Sequence, residues 1–286
     1  MSTNEHPAPS APRSAGTGPD LTPVPTPHRQ AAREDAPALR ILQLYPSEMN
    51  IYGDWGNTLT LIRRAQWSGF EVELLAHEVG DRLPADVDLV VAGGGQDSGQ
   101  VRIAADLLSH GPAIREWAEQ DVPMLAVCGS YQLFGHVFVP ATGDTADEPL
   151  TGISLLDVET RGSTTRLIGN LTIETERFGP VVGYENHSGL TTLGADCTAL
   201  GSVRAFGQEG SRAGGNNGAD GTEGAVHREV VGTYLHGSVL PKNPALADHL
   251  LAAAVRHRVG EDAYTAPDLE GIVTQRARDI AMSRPR

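Results

Sequence analysis

Cysteine is scarce in this chain of 286 residues, which has two, Cys128 and Cys197, in unlike surroundings. That excludes a disulfide framework. No Cys or His spacing resembles a zinc site, so a reducing cytoplasm and no metal are expected. Basic residues are also few, 22 Lys and Arg against 36 Asp and Glu, for a net charge of -14. Such a balance argues against a nucleic-acid groove, which needs clustered Lys and Arg, so no nucleic-acid partner is expected. No apolar run approaches the roughly 18 to 20 residues of a membrane helix, and the N-terminus lacks the basic-then-apolar order of a signal peptide. There is no Gly-x-x-x-x-Gly-Lys-[Ser/Thr] loop and no kinase-like set, so this chain is expected to bind no ATP.

What is present is a 40% hydrophobic composition, enough for one large α/β domain or two smaller ones. Residues 1–37 hold 8 of the 19 prolines and almost no large apolar side chain. Such a segment cannot offset its ordering entropy and reads as a disordered tail. The folded domain is expected over 38–260, with a short helical segment and a basic tail over 261–286.

From Leu39 the patterns of strand and helix alternate. Leu39 to Tyr45, Phe70 to Leu75, Val87 to Ala92 and Met124 to Val127 read as strands. Asn57 can cap a helix running to about Ser68, and a second helix fills roughly Ser98 to Gln120. This rhythm predicts a mainly parallel central sheet flanked by helices. After Gly135, short β-branched segments at 153–160, 166–174 and 181–184 predict a more antiparallel second half. Gly207 to Gly224, with seven glycines, reads as a flexible insertion or hairpin tip. Val230 to Leu235 reads as a strand, and a helix begins at Pro244 with Asn243 as its cap.

The run Met124-Leu125-Ala126-Val127 stops at Cys128 and continues with Gly129-Ser130-Tyr131-Gln132. Strand, sharp turn and helix would place Cys128 on an exposed elbow flanked by the small residues Ala126 and Ser130. A helix starting there aims N–H groups and the positive end of its dipole at the sulfur, favouring thiolate. By itself the pattern fits equally a small buried cysteine at a strand end. Two further strand ends are comparable: Ala92 runs into Gly93-Gly94-Gly95, and Leu235 into His236. In a parallel sheet ligands bind beyond the carboxyl ends of the strands. Neighbouring strands would therefore bring together a nucleophile, its base and the backbone N–H groups of Gly94, Gly95 and Gly129 as an oxyanion hole.

The strings Val127-Cys128-Gly129-Ser130-Tyr131-Gln132 and Gly232-Thr233-Tyr234-Leu235-His236-Gly237, with the glycine triplet, resemble the class I glutamine amidotransferases, particularly the cobyric acid synthase-like branch. Tyr52-Gly53-Asp54-Trp55-Gly56-Asn57, Arg166-Leu167-Ile168-Gly169-Asn170 and Gly183-Tyr184-Glu185-Asn186-His187 extend the resemblance to its lipid II-amidating glutaminases. The resemblance implies a flavodoxin-like α/β amidotransferase domain over about Leu39 to His257. It implies that Cys128 attacks the glutamine side-chain amide, that His236 moves the protons and that Arg166 anchors the substrate carboxylate. Gln132 would line the glutamine pocket, or sit on a helix surface. Two positions depart from the family pattern. Ser130 replaces glycine, and Ser238 stands where an acid usually follows the histidine by two residues. A Cys-His dyad, or an acid from elsewhere with Glu185 as candidate, then has to serve. His187 is a rival imidazole, ranked below His236. The resemblance also implies a heterodimer with a Mur-ligase-like synthetase (MurT), which would bind ATP and Mg and reach lipid II at the inner face of the plasma membrane. Ammonia delivery to a cobyrinic acid-type acceptor and a non-catalytic regulatory subunit are the alternatives.

Overall fold

The computed structural model describes residues 30–31, 36–141, 148–204, 214–269 and 272–284. The expected disordered tail lies almost wholly outside them, as do residues 207–213 of the glycine-rich stretch and the last two residues of the basic tail.

The first half supplies four strands of a six-stranded sheet. These are β1 (Leu39–Leu44), β2 (Val72–His77), β3 (Leu89–Ala92) and β4 (Met124–Val127), with helices α1 (Trp55–Trp67) and α2 (Asp97–Glu119) between them. Chain order continues with α3 (Gly129–Phe134), β5 (Val137–Val139), β6 (Leu150–Thr151), β7 (Val158–Thr175), β8 (Gly179–Leu193), β9 (Gly201–Val203) and β10 (Thr222–Glu223). The end of the chain supplies β11 (Ala225–His227), β12 (Val230–Thr233), α4 (Val239–Lys242), α5 (Pro244–Val259) and α6 (Ile272–Ser283). The strand order of the first sheet is β11-β12-β4-β3-β1-β2, parallel except for β11. β3, β4 and β12 are buried at every residue, as unbroken apolar strands covered on both faces should be. β2 forms one edge and is buried only at His77, its last residue.

The second half is more antiparallel. β7 and β8 form one long hairpin rather than three short strands, with a register shift between Gly162 and Leu167. They belong to a second six-stranded sheet, ordered β10-β9-β7-β5-β6 with β8 on β7. The two sheets are stitched where it matters for the site. His236 N–H donates to the Tyr184 carbonyl at 2.7 Å, linking the segment after β12 to β8.

Local signals held unevenly. α5 starts at Pro244 and is followed by Gly260, whose φ of 76° is left-handed, but Asn243 at the cap position spends its side chain on the backbone of Val182 and Val239 rather than on the helix N–H groups. Asn57, expected as a cap, is instead buried inside α1, and its Oδ1 accepts the Leu240 N–H at 2.9 Å. The residue preceding the helix is Asp54. Residues 214–224 are not a flexible tip: Asn216 is buried, and its amide bridges Tyr131, Thr222 and Gly224. Among the described residues no helix is long and apolar enough to cross a membrane.

Candidate active site

The register of three adjacent strands puts their ends side by side. Ala92 pairs with Ala126, and Val127 with Thr233, so Gly93, Cys128 and the segment leading to His236 leave the sheet at one edge. Cys128 has φ 50° and ψ -106°, a left-handed conformation that non-glycine residues avoid, at a cost of about 1–3 kcal/mol. Its N–H donates to the Thr233 carbonyl at 2.8 Å, and its own carbonyl accepts the Gln132 N–H at 3.0 Å. These bonds hold the elbow in its strained form. Ser130 fits for a specific reason: its hydroxyl donates to the Gly93 carbonyl at 2.6 Å, tying the elbow to the glycine loop.

His236 is fully buried, and its partners are concentrated around Gly94. A methyl group at Gly94 would lie 2.7 Å from His236 Cε1, 3.1 Å from Cys128 Cβ and 3.2 Å from Asp54 Oδ2. Only a residue without a side chain leaves room for these three to converge. Asp54 Oδ1 stands 3.7 Å from His236 Nδ1, an ion-pair distance longer than a hydrogen bond. Burial pulls the His236 imidazole down, but the adjacent Cys128 sulfur, aided by Asp54, outweighs it, and the pKa is pushed up to about 10.

Glu185 does not take the orienting position. Its carboxylate accepts the Gly215 N–H at 2.7 Å and lies 3.5 Å from His187 Nε2, whereas the acid facing His236 is Asp54. Sequence alone assigned Asp54 no role, although it stands in one of the strings that carried the resemblance. Ser238, at the usual acid position, donates its hydroxyl to the Gly53 carbonyl at 2.6 Å and fastens the loop that carries Asp54. That loop is fastened at its start too. Asp106 Oδ2 accepts the Tyr45 hydroxyl at 2.7 Å and lies 3.0 Å from His77 Nε2, while its Oδ1 accepts the Gly80 N–H.

The oxyanion donors need one correction. Gly94 N–H donates to Asp54 Oδ2 at 2.7 Å and is therefore occupied. Gly95 lines the cavity, and Gly129 opens α3 directly after Cys128.

The cavity, about 590 Å³, is lined by Cys128, Gly95, Gln132, Arg166, Asn186 and His187 among others. Arg166 projects from the irregular part of β7, and its guanidinium donates to Asn186 on β8. Gln132 is buried rather than on a helix surface, with its Oε1 accepting from Gln100 at 2.8 Å and its Nε2 donating to the Tyr234 hydroxyl at 3.1 Å. His187 stacks on Tyr234 at 3.6 Å, and burial lowers its pKa to about 3, so it stays neutral. Cys197 is remote in role: its thiol donates to the Asp157 carbonyl, and burial raises its pKa.

A parallel sheet with a strained cysteine elbow beside a buried histidine, joined to an antiparallel extension, defines a class I glutamine amidotransferase. A solved glutamine amidotransferase matches 74% of this chain and 98% of its own with a TM-score of 0.51 at 13% identity, which bears on the fold alone. Residues 40–244 match the CobB/CobQ-like glutamine amidotransferase domain, and the chain belongs to that family. It is 34% identical to the GatD subunit of the glutamine-hydrolysing lipid II isoglutaminyl synthase of Staphylococcus aureus, across 77% of this chain and 86% of the relative. Identity to the corresponding Streptococcus pneumoniae subunit is 35%, across 83% of this chain and 88% of that one. The protein is accordingly an enzyme of the glutamine amidotransferase type, with a glutaminase half-reaction.

Proposed function

We propose that this chain is the glutaminase subunit of a two-chain lipid II isoglutaminyl synthase. The observation that carries the reading is the convergence of Cys128, His236 and Asp54 around Gly94, beside a cavity lined by Arg166.

Glutamine enters with its side-chain amide at the sulfur and its carboxylate toward Arg166. In the reactive pair the proton already sits on His236, and the sulfur attacks the amide carbon. The oxygen of the tetrahedral intermediate takes up negative charge, which the N–H groups of Gly95 and Gly129 stabilise, at about 2.7–4 kcal/mol for a single such donor. His236, held up at about 10, keeps the proton at neutral pH until the C–N bond breaks, then gives it to the leaving ammonia. Once the sulfur is acylated it no longer raises His236, so the imidazole falls toward the basicity needed to deprotonate water. Attack of that water on the thioester releases glutamate and frees the sulfur, while the proton taken from water stays on His236. Asp54 orients the imidazole and steadies its charged form.

The ammonia needs an acceptor. We assign its activation, with ATP and Mg²⁺, to a Mur-ligase-like partner (MurT) in a heterodimer, which amidates the D-glutamate of lipid II to D-isoglutamine in peptidoglycan synthesis. The complex then works from the cytoplasm on the inner face of the plasma membrane. The test is reconstitution. Co-expressed with a Mur-ligase-like synthetase, the chain is expected to form a stable complex that amidates lipid II from glutamine and ATP. Cys128→Ala is expected to abolish glutamate release and glutamine-dependent amidation while leaving ammonia-dependent amidation intact. A complex that amidates a cobyrinic acid instead, or a chain releasing no glutamate even with its partner, overturns the reading.

A further inference from the structure

Tyr52 is placed at a conformational cost for which its own packing gives little return. It sits at φ 59° in the short turn Ile51–Gly53, and 45% of its surface is exposed. A bulky residue in the left-handed region costs roughly 1–2 kcal/mol, so the position demands something of this side chain. Its ring lies edge-on to His236 at 4.9 Å between centroids, and its hydroxyl reaches across the cavity mouth to accept Asn186 Nδ2–H at 2.6 Å. The other end of that amide, Asn186 Oδ1, accepts from Arg166 Nε at 3.1 Å and Nη2 at 2.9 Å, and the Asn186 carbonyl also accepts from Nη2. One amide therefore holds both the tyrosine and the arginine.

Counting donors decides what this is for. A guanidinium has five N–H groups. Three of Arg166's are spent on Asn186, which occupies the Nε–Nη2 edge that would otherwise grip a carboxylate bidentately. Nη1 alone is unspent among the described residues. The Tyr52 hydroxyl accepts from Asn186, and its own proton is directed to no described acceptor. Both unspent donors belong to residues lining the cavity that holds Cys128.

We propose that Tyr52 is a direct receptor for the substrate's α-carboxylate, its O–H and Arg166 Nη1 closing on one oxygen each while Asn186 fixes the spacing between them. This rests on the glutaminase reading above and sharpens it. The clamp is built from both halves of the molecule, the turn before α1 and the β7–β8 hairpin, so a substrate lacking the carboxylate leaves two donors unpaired.

Tyr52→Phe keeps the ring over His236 and removes only the O–H. A hydrogen bond to a charged group is worth about 1.5–3 kcal/mol, or roughly 10- to 150-fold. With the full chain and its co-purified synthetase, the variant is expected to lose about that factor in kcat/KM for glutamine, the loss falling on KM. 4-Aminobutanamide, which is glutamine without the carboxylate, is expected to be turned over equally by wild type and variant. An unchanged KM for glutamine, a fall in kcat instead of a rise in KM, or an equal loss on both substrates overturns the proposal. Wild type releasing no glutamate overturns the glutaminase reading as well, whereas an active wild type matched by the variant overturns this inference alone.

Discussion

Asp54 divides its carboxylate between the backbone and the base: Oδ2 accepts the Gly94 N–H at 2.7 Å while Oδ1 faces His236 Nδ1 at 3.7 Å. One oxygen fixes the acid and the other is left for the imidazole. Asp54→Asn keeps an oxygen for Gly94 but turns an amide toward His236, favouring the wrong tautomer. A drop of about 10²- to 10⁴-fold in kcat is expected, with little change in KM. Glutamate release under saturating glutamine checks it, and a loss below threefold would sink the role given to Asp54.

Gly94→Ala attacks the same junction from the opposite side. The backbone of Gly94 is not left-handed, so alanine is sterically acceptable to the chain itself. The added methyl, however, meets His236, Cys128 and Asp54 at once. A displacement of about 1 Å among reacting groups costs on the order of 10²-fold, while overpacking costs about 1–3 kcal/mol of stability. Activity is therefore expected to collapse in a protein that still unfolds cooperatively, which urea titration alongside the assay would reveal.

These two residues mark the limit of what the chain sequence disclosed. Cys128 and His236 were legible because each ends an apolar strand, and strand periodicity is a local signal. A parallel sheet was expected, but that β3, β4 and β12 are neighbours in it was only the condition on which the site depended, and the strand order meets it. Asp54 was not legible as the acid because its approach to His236 spans the chain from the loop before α1 to the end of β12, a distance no local pattern encodes. Glu185, the candidate for an acid from elsewhere, faces His187 instead. Gly94 was read as an oxyanion donor from its lack of a side chain. The same lack instead makes room for Asp54, which then takes its N–H.

Glu223 is a carboxylate buried under the site, accepting the Tyr234 N–H at 2.7 Å and the Thr233 hydroxyl at 3.0 Å. Burial raises its pKa from the ordinary 4.5 to about 7, and those hydrogen bonds only partly counter it. A raised acid means the folded state resists losing the proton. Its stabilising contribution is full below 4.5 and is lost as pH rises through 7. Glu223→Gln retains an acceptor for Tyr234 and carries no charge, so it is expected to stabilise the fold by about 2–3 kcal/mol at pH 8. The advantage should shrink toward pH 4.5, as urea midpoints across that range would register.

His236 carries the opposite kind of group with the same sign of shift. Its pKa rises from the ordinary 6.5 to about 10, so the imidazolium's contribution to stability is complete below 6.5 and disappears as pH passes through 10. The stability difference between wild type and His236→Gln should therefore narrow from neutral pH toward pH 10, and a difference that is flat with pH would contradict the ion pair. The cause can be isolated as well. Burial lowers this pKa, and what overcomes burial is chiefly the sulfur, with Asp54 second. Capping Cys128 with iodoacetamide imitates the acylated sulfur of the thioester. The His236 titration, followed by NMR on ring-labelled histidine, is then expected to move sharply down from about 10. A titration that stays in place would mean that Asp54 alone holds the proton, and that the same imidazole does not change from acid to base on acylation.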